Sequence, residues 1–502
     1  MIRLASVCAP LTAALVLFAT VGCDDGSAGS DPAESLDDLG TSVPDAAFAA
    51  PDGALAEPVD ATPDAAPPPV PFVEPAPATD LDAADGIVEL NLTASAALVS
   101  VSDDLRYSGL AYNGQVPGPT LHATVGDTLV VHFTNDLDEP TTVHWHGLRI
   151  PDDMDGNPRI QHPVQPGESF TYRFTLPDAG TFWYHPHVRS NEQVEKGLYG
   201  AIVVHDPADP RPDAERVLIL DDVLVDGRGA LYPFLTSHPE QMHGRHGNVL
   251  LTNGRAEPEP GEARVGQVER WRVINTANAR TMVLSVQRAR MRVVGTDGGA
   301  LTAPYTTDRL LVAVGQRYDL EISYDRAGAA HLVSHVPVVE GDEVVEQAVS
   351  VYKVNVRAAD ATPPELEWPA RAPIEREPDV DAELRFAVRN GPRGLEWTIN
   401  EQAMPMEPLM TFEQGQTVTL TLRNLAGPEH PFHLHGQFFE IVPDGRPETE
   451  QPGLKDTVLV PGLSTVTVRA YVDNPGRWMA HCHILEHAEL GMMGEFIVNP
   501  AE

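Results

Sequence analysis

From Ile87 onward the chain alternates apolar and polar residues over short runs. Thr128-Leu-Val-Val-His-Phe-Thr134, Phe170-Thr-Tyr-Arg-Phe-Thr175 and Thr417-Val-Thr-Leu-Thr-Leu422 are typical, and Gly, Pro, Asn and Asp separate them. A period of two places one side of each run in a core and the other toward solvent, so these are strands. Helical periodicity is scarce, and the chain is predicted to be all-β. One cadence occurs three times. Val125-Gly-Asp-Thr-Leu-Val-Val-His-Phe-Thr-Asn135 resembles Phe412-Glu-Gln-Gly-Gln-Thr-Val-Thr-Leu-Thr-Leu-Arg-Asn424, and Val265-Gly-Gln-Val-Glu-Arg-Trp-Arg-Val-Ile-Asn275 lies between them. Three copies predict three related β-sandwich units, placed at 87–206, 211–357 and 378–499.

Before Ile87 the pattern is different. Met1-Ile-Arg3 and the apolar run Leu11–Val21 read as a signal peptide, residues 1–23. It ends at Gly22-Cys23-Asp24-Asp25, which resembles a bacterial lipoprotein box in which Cys23 becomes the lipidated N-terminus. The expectation is export to the periplasm or cell envelope with a membrane tether; plain secretion is the alternative. Residues 24–86 are dominated by Ala, Asp and Pro, with no Lys or Arg between Arg3 and Arg106. Such a segment has too little apolar surface to offset chain entropy, so a disordered linker is predicted. No second apolar run is long enough to span a membrane.

Charge and cysteine usage narrow the function. The formal net charge is −39, which leaves no basic face to neutralise phosphates and argues against nucleic acid. The three cysteines are Cys8, Cys23 and Cys482. The folded body thus has one thiol and no internal disulfide, and a metal-ligand role suits it. Oligomeric state is not readable from the sequence.

Cys482 sits in His481-Cys482-His483-Ile-Leu-Glu-His487-Ala-Glu-Leu-Gly-Met492. A thiolate, an imidazole five residues on and a thioether ten residues on form the donor set of a blue-copper site. On a strand, residues i and i+2 share a face. Cys482 can therefore face one metal while His481 and His483 face another. Three more clusters accompany this one: His144-Trp-His146-Gly, His185-Pro-His187 and His430-Pro-Phe-His433-Leu-His435.

With these motifs the chain, from about Val88 to Val498, resembles the three-domain bacterial multicopper oxidases, laccase-like enzymes built of cupredoxin-like Greek-key β-sandwiches. The resemblance implies four coppers. His430, Cys482 and His487 would bind type 1 copper, with Met492 axial. His144 and His433 would bind type 2 copper, and His146, His185, His187, His435, His481 and His483 the type 3 pair. The implied reaction couples one-electron oxidation of a phenol or aromatic amine to reduction of O₂ to water. A metallo-oxidase of Cu(I), Fe(II) or Mn(II) is the alternative; a non-catalytic copper carrier would need only the type 1 site.

Asp155, in Met154-Asp155-Gly156, matches the family's acidic residue after the first His pair and would deliver protons; its plain alternative is a turn Asp before Gly. Many relatives carry a second acid directly after the type 1 His, where this chain has Ala488, with Glu486 and Glu489 nearby. The group His238-Pro-Glu-Gln-Met-His243-Gly-Arg-His246 reads as a polar loop or a transient copper site. His122, His132, His162, His205, His331 and His335 read as surface or strand histidines.

Overall fold

The computed structural model describes residues 75–501 other than 83, 341, 342, 393, 406 and 447–450. The predicted signal peptide, Cys23 and the linker as far as residue 74 lie outside the described residues. Six sheets fall into three successive pairs along the chain. The first pair draws on strands between Ile87 and His205, the second between Ala214 and Arg357, and the third between Val380 and Asn499. Each pair encloses its own apolar core, with Trp145 in the first, Trp271 in the second, and Trp397 and Trp478 in the third. A fourth cluster joins Trp183 and Tyr199, Ile219 and Ile274, and Leu485 where the three parts meet.

The repeated cadence forms the same structure three times. Thr128–Asp136, Val268–Asn275 and Thr417–Asn424 each pair parallel with the first strand of their own unit and antiparallel with a later strand. The glycine before each strand, Gly126, Gly266 or Gly415, has φ of 95°, 92° or 92°, a turn that residues with a Cβ rarely adopt. The residue after it, Asp127, Gln267 or Gln416, accepts a hydrogen bond from the backbone N–H three positions earlier. Asn135, Asn275 and Asn424 close the strands. Each donates its amide to two or more backbone carbonyls and accepts from the N–H two residues on. A buried amide so fully satisfied fixes the turn without an unpaired polar group.

Two local expectations change. The linker was predicted to run to residue 86, yet Pro77 bridges Thr120 and Ala78 N–H donates to the Thr120 carbonyl at 2.9 Å. An extended Pro- and Ala-rich segment needs only its backbone to join a sheet edge, and composition does not register that. The predicted polar loop at His238 is a helix, His238–His243. Ser237 accepts from the Glu240 N–H, and Glu240 accepts from the Thr236 N–H. This Ser N-cap, with Glu240 reaching back to the residue before it, starts a turn too short to show periodicity.

Candidate metal centres

Eleven residues, Cys482–Met492, bring Cys482, His487 and Met492 together. The strand Gly476–Cys482 ends at the cysteine, one helical turn follows at Leu485–Glu489, and the strand Met493–Asn499 runs back antiparallel. The turn is tied at both ends: Cys482 N–H donates to the Met492 carbonyl at 3.1 Å, and Met492 N–H to the His487 carbonyl at 2.9 Å. His430 arrives from the neighbouring strand His430–Leu434, where Phe432 pairs with Cys482. Cys482 Sγ lies 3.5 Å from His430 Nδ1 and 3.7 Å from His487 Nδ1, and those nitrogens are 3.2 Å apart. Trp397 stacks on His487, Phe386 packs edge-on to His430, and Met492 is fully buried in the same core. His487 Nε2–H donates to the Met242 carbonyl at 3.1 Å, so the helix His238–His243 covers its outer edge.

The other eight histidines gather where strands of the first and third sheet pairs meet. His144 pairs with His185 across His144–His146 and Gly180–His185, and His433 pairs with His481. His146, His185 and His483 converge in one group and His187, His435 and His481 in another, each with ligand atoms within 4.8 Å. His144 lies against both, its ring stacked on His435 at 3.9 Å, while His433 stacks on His146 at 3.8 Å. His435 Nε2 and His481 Nε2 are 3.1 Å apart.

The outward nitrogens of this cluster are held by acceptors. His144 Nδ1–H donates to the Asp155 carbonyl at 2.8 Å, and His435 Nδ1–H to Asp155 Oδ2 at 2.7 Å. His146 Nε2–H donates to Asp456 Oδ1 at 3.0 Å, and His433 Nδ1–H to the Asp456 carbonyl at 2.9 Å. An acceptor fixes the proton on the nitrogen facing it and leaves the other nitrogen a lone pair. His185 Nδ1–H likewise donates to the Pro186 carbonyl at 3.1 Å, and His144 Nε2, His146 Nδ1, His185 Nε2 and His433 Nε2 are the nitrogens so left, all buried and without a partner. An unpaired buried polar atom costs about 1–3 kcal/mol, so several aimed into one space call for an occupant. Burial, reinforced by neighbouring rings, holds His146, His185, His187, His435 and His483 below the usual imidazole range, and His481 falls to about 3. Neutral imidazoles are the form that binds metal. At the other site burial lowers His430 to about 3 and pushes the Cys482 thiol up. A thiolate there needs a cation beside it. Both donor sets fit copper, soft S and N at the first and N alone at the second.

Asp155 is fully buried at the edge of two of these rings, His144 and His435. It follows the short 3₁₀ turn Asp152–Met154, so it ends a turn and touches the cluster at once. Its Oδ1 stands 3.2 Å from His144 Nδ1 with no hydrogen bond of its own. Glu486 does not face the cluster: it accepts from Asn278 Nδ2 and from the Arg245 backbone N–H.

Asp456 and Arg317 were not singled out in the sequence. Arg317 reaches in from the middle sheets, fully buried, and grips Asp456 with Nη1 at 2.8 Å and Nη2 at 2.6 Å. It also donates to the carbonyls of Thr181, Gly315 and Asp297. Gly147, of the His-Trp-His-Gly motif, makes room: a Cβ there would lie 2.3 Å from Arg317 Nη2. Asp456 follows His433 by 23 residues, and Arg317 sits on an ordinary strand, so neither had a spacing to reveal it.

A sulfur-bearing site joined through one strand to an all-imidazole cluster defines a copper-dependent oxidase. Models of the multicopper oxidase family match residues 94–209, 214–359 and 377–502. The chain is 34% identical over 426 residues to multicopper oxidase MmcO of Mycobacterium tuberculosis, covering 77% of this chain and 82% of that one. It is 29% identical to laccase-1 of Cryptococcus neoformans over 77% of this chain and 76% of that one. Among solved structures, a multicopper oxidase from Pseudomonas thermotolerans matches with TM-score 0.71 and 33% identity, over 82% of this chain and 99% of that one. A Campylobacter jejuni multicopper oxidase described as a metallo-oxidase matches with TM-score 0.75 and 27% identity, over 85% and 94%. The protein belongs to the multicopper oxidase family. It is an oxidoreductase with copper in type 1, type 2 and type 3 sites, and it couples oxidation of a reductant to reduction of O₂.

Proposed function

We propose that His430, Cys482, His487 and Met492 would hold the type 1 copper, and that the reductant is a phenol or aromatic amine. His144 and His433 would hold the type 2 copper, and His146, His185, His187, His435, His481 and His483 the type 3 pair, four coppers in all. The observation that carries the reading is the alternation at 481–483, with one sulfur toward one site and two imidazoles toward the other. Copper bound at these residues supplies one-electron chemistry at the first site and O₂ reduction at the second.

The residues do the rest. Cys482 and its two neighbours give a covalent route between the sites. His481 Nδ1–H donates to the Cys482 carbonyl at 2.9 Å, a second connection along that route. Asp155 holds a proton at Oδ1 and passes it toward the cluster, and burial raises its carboxyl above the usual range, as a proton carrier requires. Asp456 stays ionised against Arg317 and orients His146 rather than supplying protons.

The organic reductant is supported by the laccases among the relatives and by a cavity of about 380 Å³ beside the helix His238–His243, walled by Leu224, Tyr232, Pro233 and Pro239. That space suits one aromatic ring. A metallo-oxidase reading has its own observation: the Met242 carbonyl already occupies the His487 edge that an aromatic substrate would touch. Steady-state turnover with a phenol against Cu(I) and Fe(II) separates the two. Faster turnover with a metal ion at matched concentration rejects the organic assignment.

For location, the apolar run ending at Gly22-Cys23 supports export with lipidation of Cys23. Mass spectrometry of the mature N-terminus tests it, and an unmodified start at another residue rejects it.

A further inference from the structure

Away from the copper clusters, two histidines on the first sandwich face each other. His122 lies on Gly118–Thr124 and His205 ends Gly200–His205, strands that pair parallel with His122 opposite Val203 and Thr124 opposite His205. Both side chains therefore rise from one face of the sheet. His122 Nδ1 and His205 Nε2 are 3.2 Å apart, with ring planes 12° from parallel.

The protein supplies its own ruler for this distance. His430 and His487 of the type 1 site have nitrogens 3.2 Å apart, and His435 and His481 of the cluster 3.1 Å. Two imidazole nitrogens about 2.0–2.1 Å from one tetrahedral metal ion stand about 3.3 Å apart. The two rings share a hydrogen bond at that distance, and the same spacing lets both nitrogens bind one ion in its place.

His205 also borders an open cavity of about 460 Å³ lined by Asp206, Asp209, Glu215 and Arg270. Both oxygens of Glu215 are engaged by Arg272. Glu215 therefore contributes field and not a ligand atom. Arg270 and Arg272 oppose a cation here, but each is paired with acids, Arg270 with Asp209 and Asp319 and Arg272 with Glu215 and Asp319.

We propose that His122 and His205 form a surface site for one borderline divalent cation of the Zn(II) or Cu(II) class, separate from the copper centres. Its place between the first and middle sheet pairs, on a chain of net charge −39, suits an exchangeable cation held outside the catalytic clusters.

Zn(II) is the probe, because it has no redox chemistry and the copper-loaded enzyme cannot turn it over. Titration calorimetry of the four-copper protein should show one Zn(II) per chain with a dissociation constant on the order of 10 μM. His122→Ala and His205→Ala should each weaken it at least about tenfold, and His132→Ala, on another sheet of the same sandwich, should leave it unchanged. Copper content and blue absorption should not move during the titration. Equal zinc binding by wild type and the His122→Ala/His205→Ala double variant overturns the proposal. So does zinc uptake that displaces copper.

Discussion

The two metal regions are built in opposite ways from the same residue type. The proposed type 1 pocket is the work of one sandwich: its four residues come from strands and a turn of the third unit, and Phe386 and Trp397 press on its histidines. No carboxylate bonds to His430, Cys482 or His487 among the described residues. The trinuclear cluster is shared between the first and third units, and two buried carboxylates grip its rings, one of them held by an arginine from the middle unit. A dry apolar pocket suits a centre that only gains and loses an electron. A cluster that also consumes protons needs ionisable groups within hydrogen-bond reach. The polar surroundings thus distinguish electron entry from O₂ chemistry more sharply than the ligands do.

The largest effect should come from removing the one thiolate ligand. Cys482→Ser is expected to abolish the blue absorption and lower oxidase activity by about 10⁴-fold or more, while circular dichroism stays that of an all-β chain. Metal analysis should still find the cluster coppers, because no cluster residue changes. Loss of all copper would show that the two regions do not load independently.

Arg317→Met attacks the other region from outside it. It leaves Asp456 as an uncompensated buried charge, and breaking such a pair costs about 3–5 kcal/mol. The expected result is a lower Tm and a cluster depleted of copper, read from the type 2 electron paramagnetic resonance signal. The blue band should survive in the chains that remain folded. If both signals fall in parallel, Arg317 supports the whole fold and not the cluster.

What the sequence made legible follows the same division. Cys482, His487 and Met492, proposed for the type 1 site, lie within a span of ten positions and stand out as a local string. The cluster histidines were readable as four short motifs, because alternation on a strand fixes which neighbours share a face. The repeat ending at Asn135, Asn275 and Asn424 disclosed the three units because a buried turn needs the same hydrogen bonds each time. Asp456 and Arg317 were not legible. They meet across 139 positions, and a lone carboxylate or arginine has no period. The helix at His238 was hidden for another reason: one capped turn is shorter than any amphipathic repeat.

Asp155→Asn tests the proton side of the comparison. It keeps the shape and removes the ionisable oxygen. Reoxidation of the reduced enzyme by O₂ should slow by about 10²-fold, with anaerobic reduction of the blue band nearly unchanged. Stopped flow times the two steps separately at matched copper content. With Ala488 supplying no acid, little compensation is expected. Equal reoxidation rates would make Asp155 a holder of His144 and His435 and nothing more.

The smallest effect concerns what the two regions share. Both hold imidazoles whose pKa burial has lowered, to about 3 for His430 in the pocket and His481 in the cluster. In the unfolded chain the same groups titrate near about 6.5. As pH falls through 6.5 the unfolded state takes up protons that the folded apoprotein refuses, so apoprotein stability is full above 6.5 and declines on the acid side. Each such histidine contributes up to about 1.36 kcal/mol per pH unit until its folded pKa is reached. The copper-free protein should therefore lose Tm steadily between pH 7 and pH 5. Copper-loaded protein should lose less over that range, since ligation occupies the same lone pairs, and more once acid displaces the metal. His430→Gln removes one titrating group from the pocket and should flatten the apoprotein slope by at most one proton's worth. An apoprotein Tm that does not change between pH 7 and pH 5 would mean that its histidines are hydrated without metal, and that the buried geometry belongs to the copper-loaded protein alone.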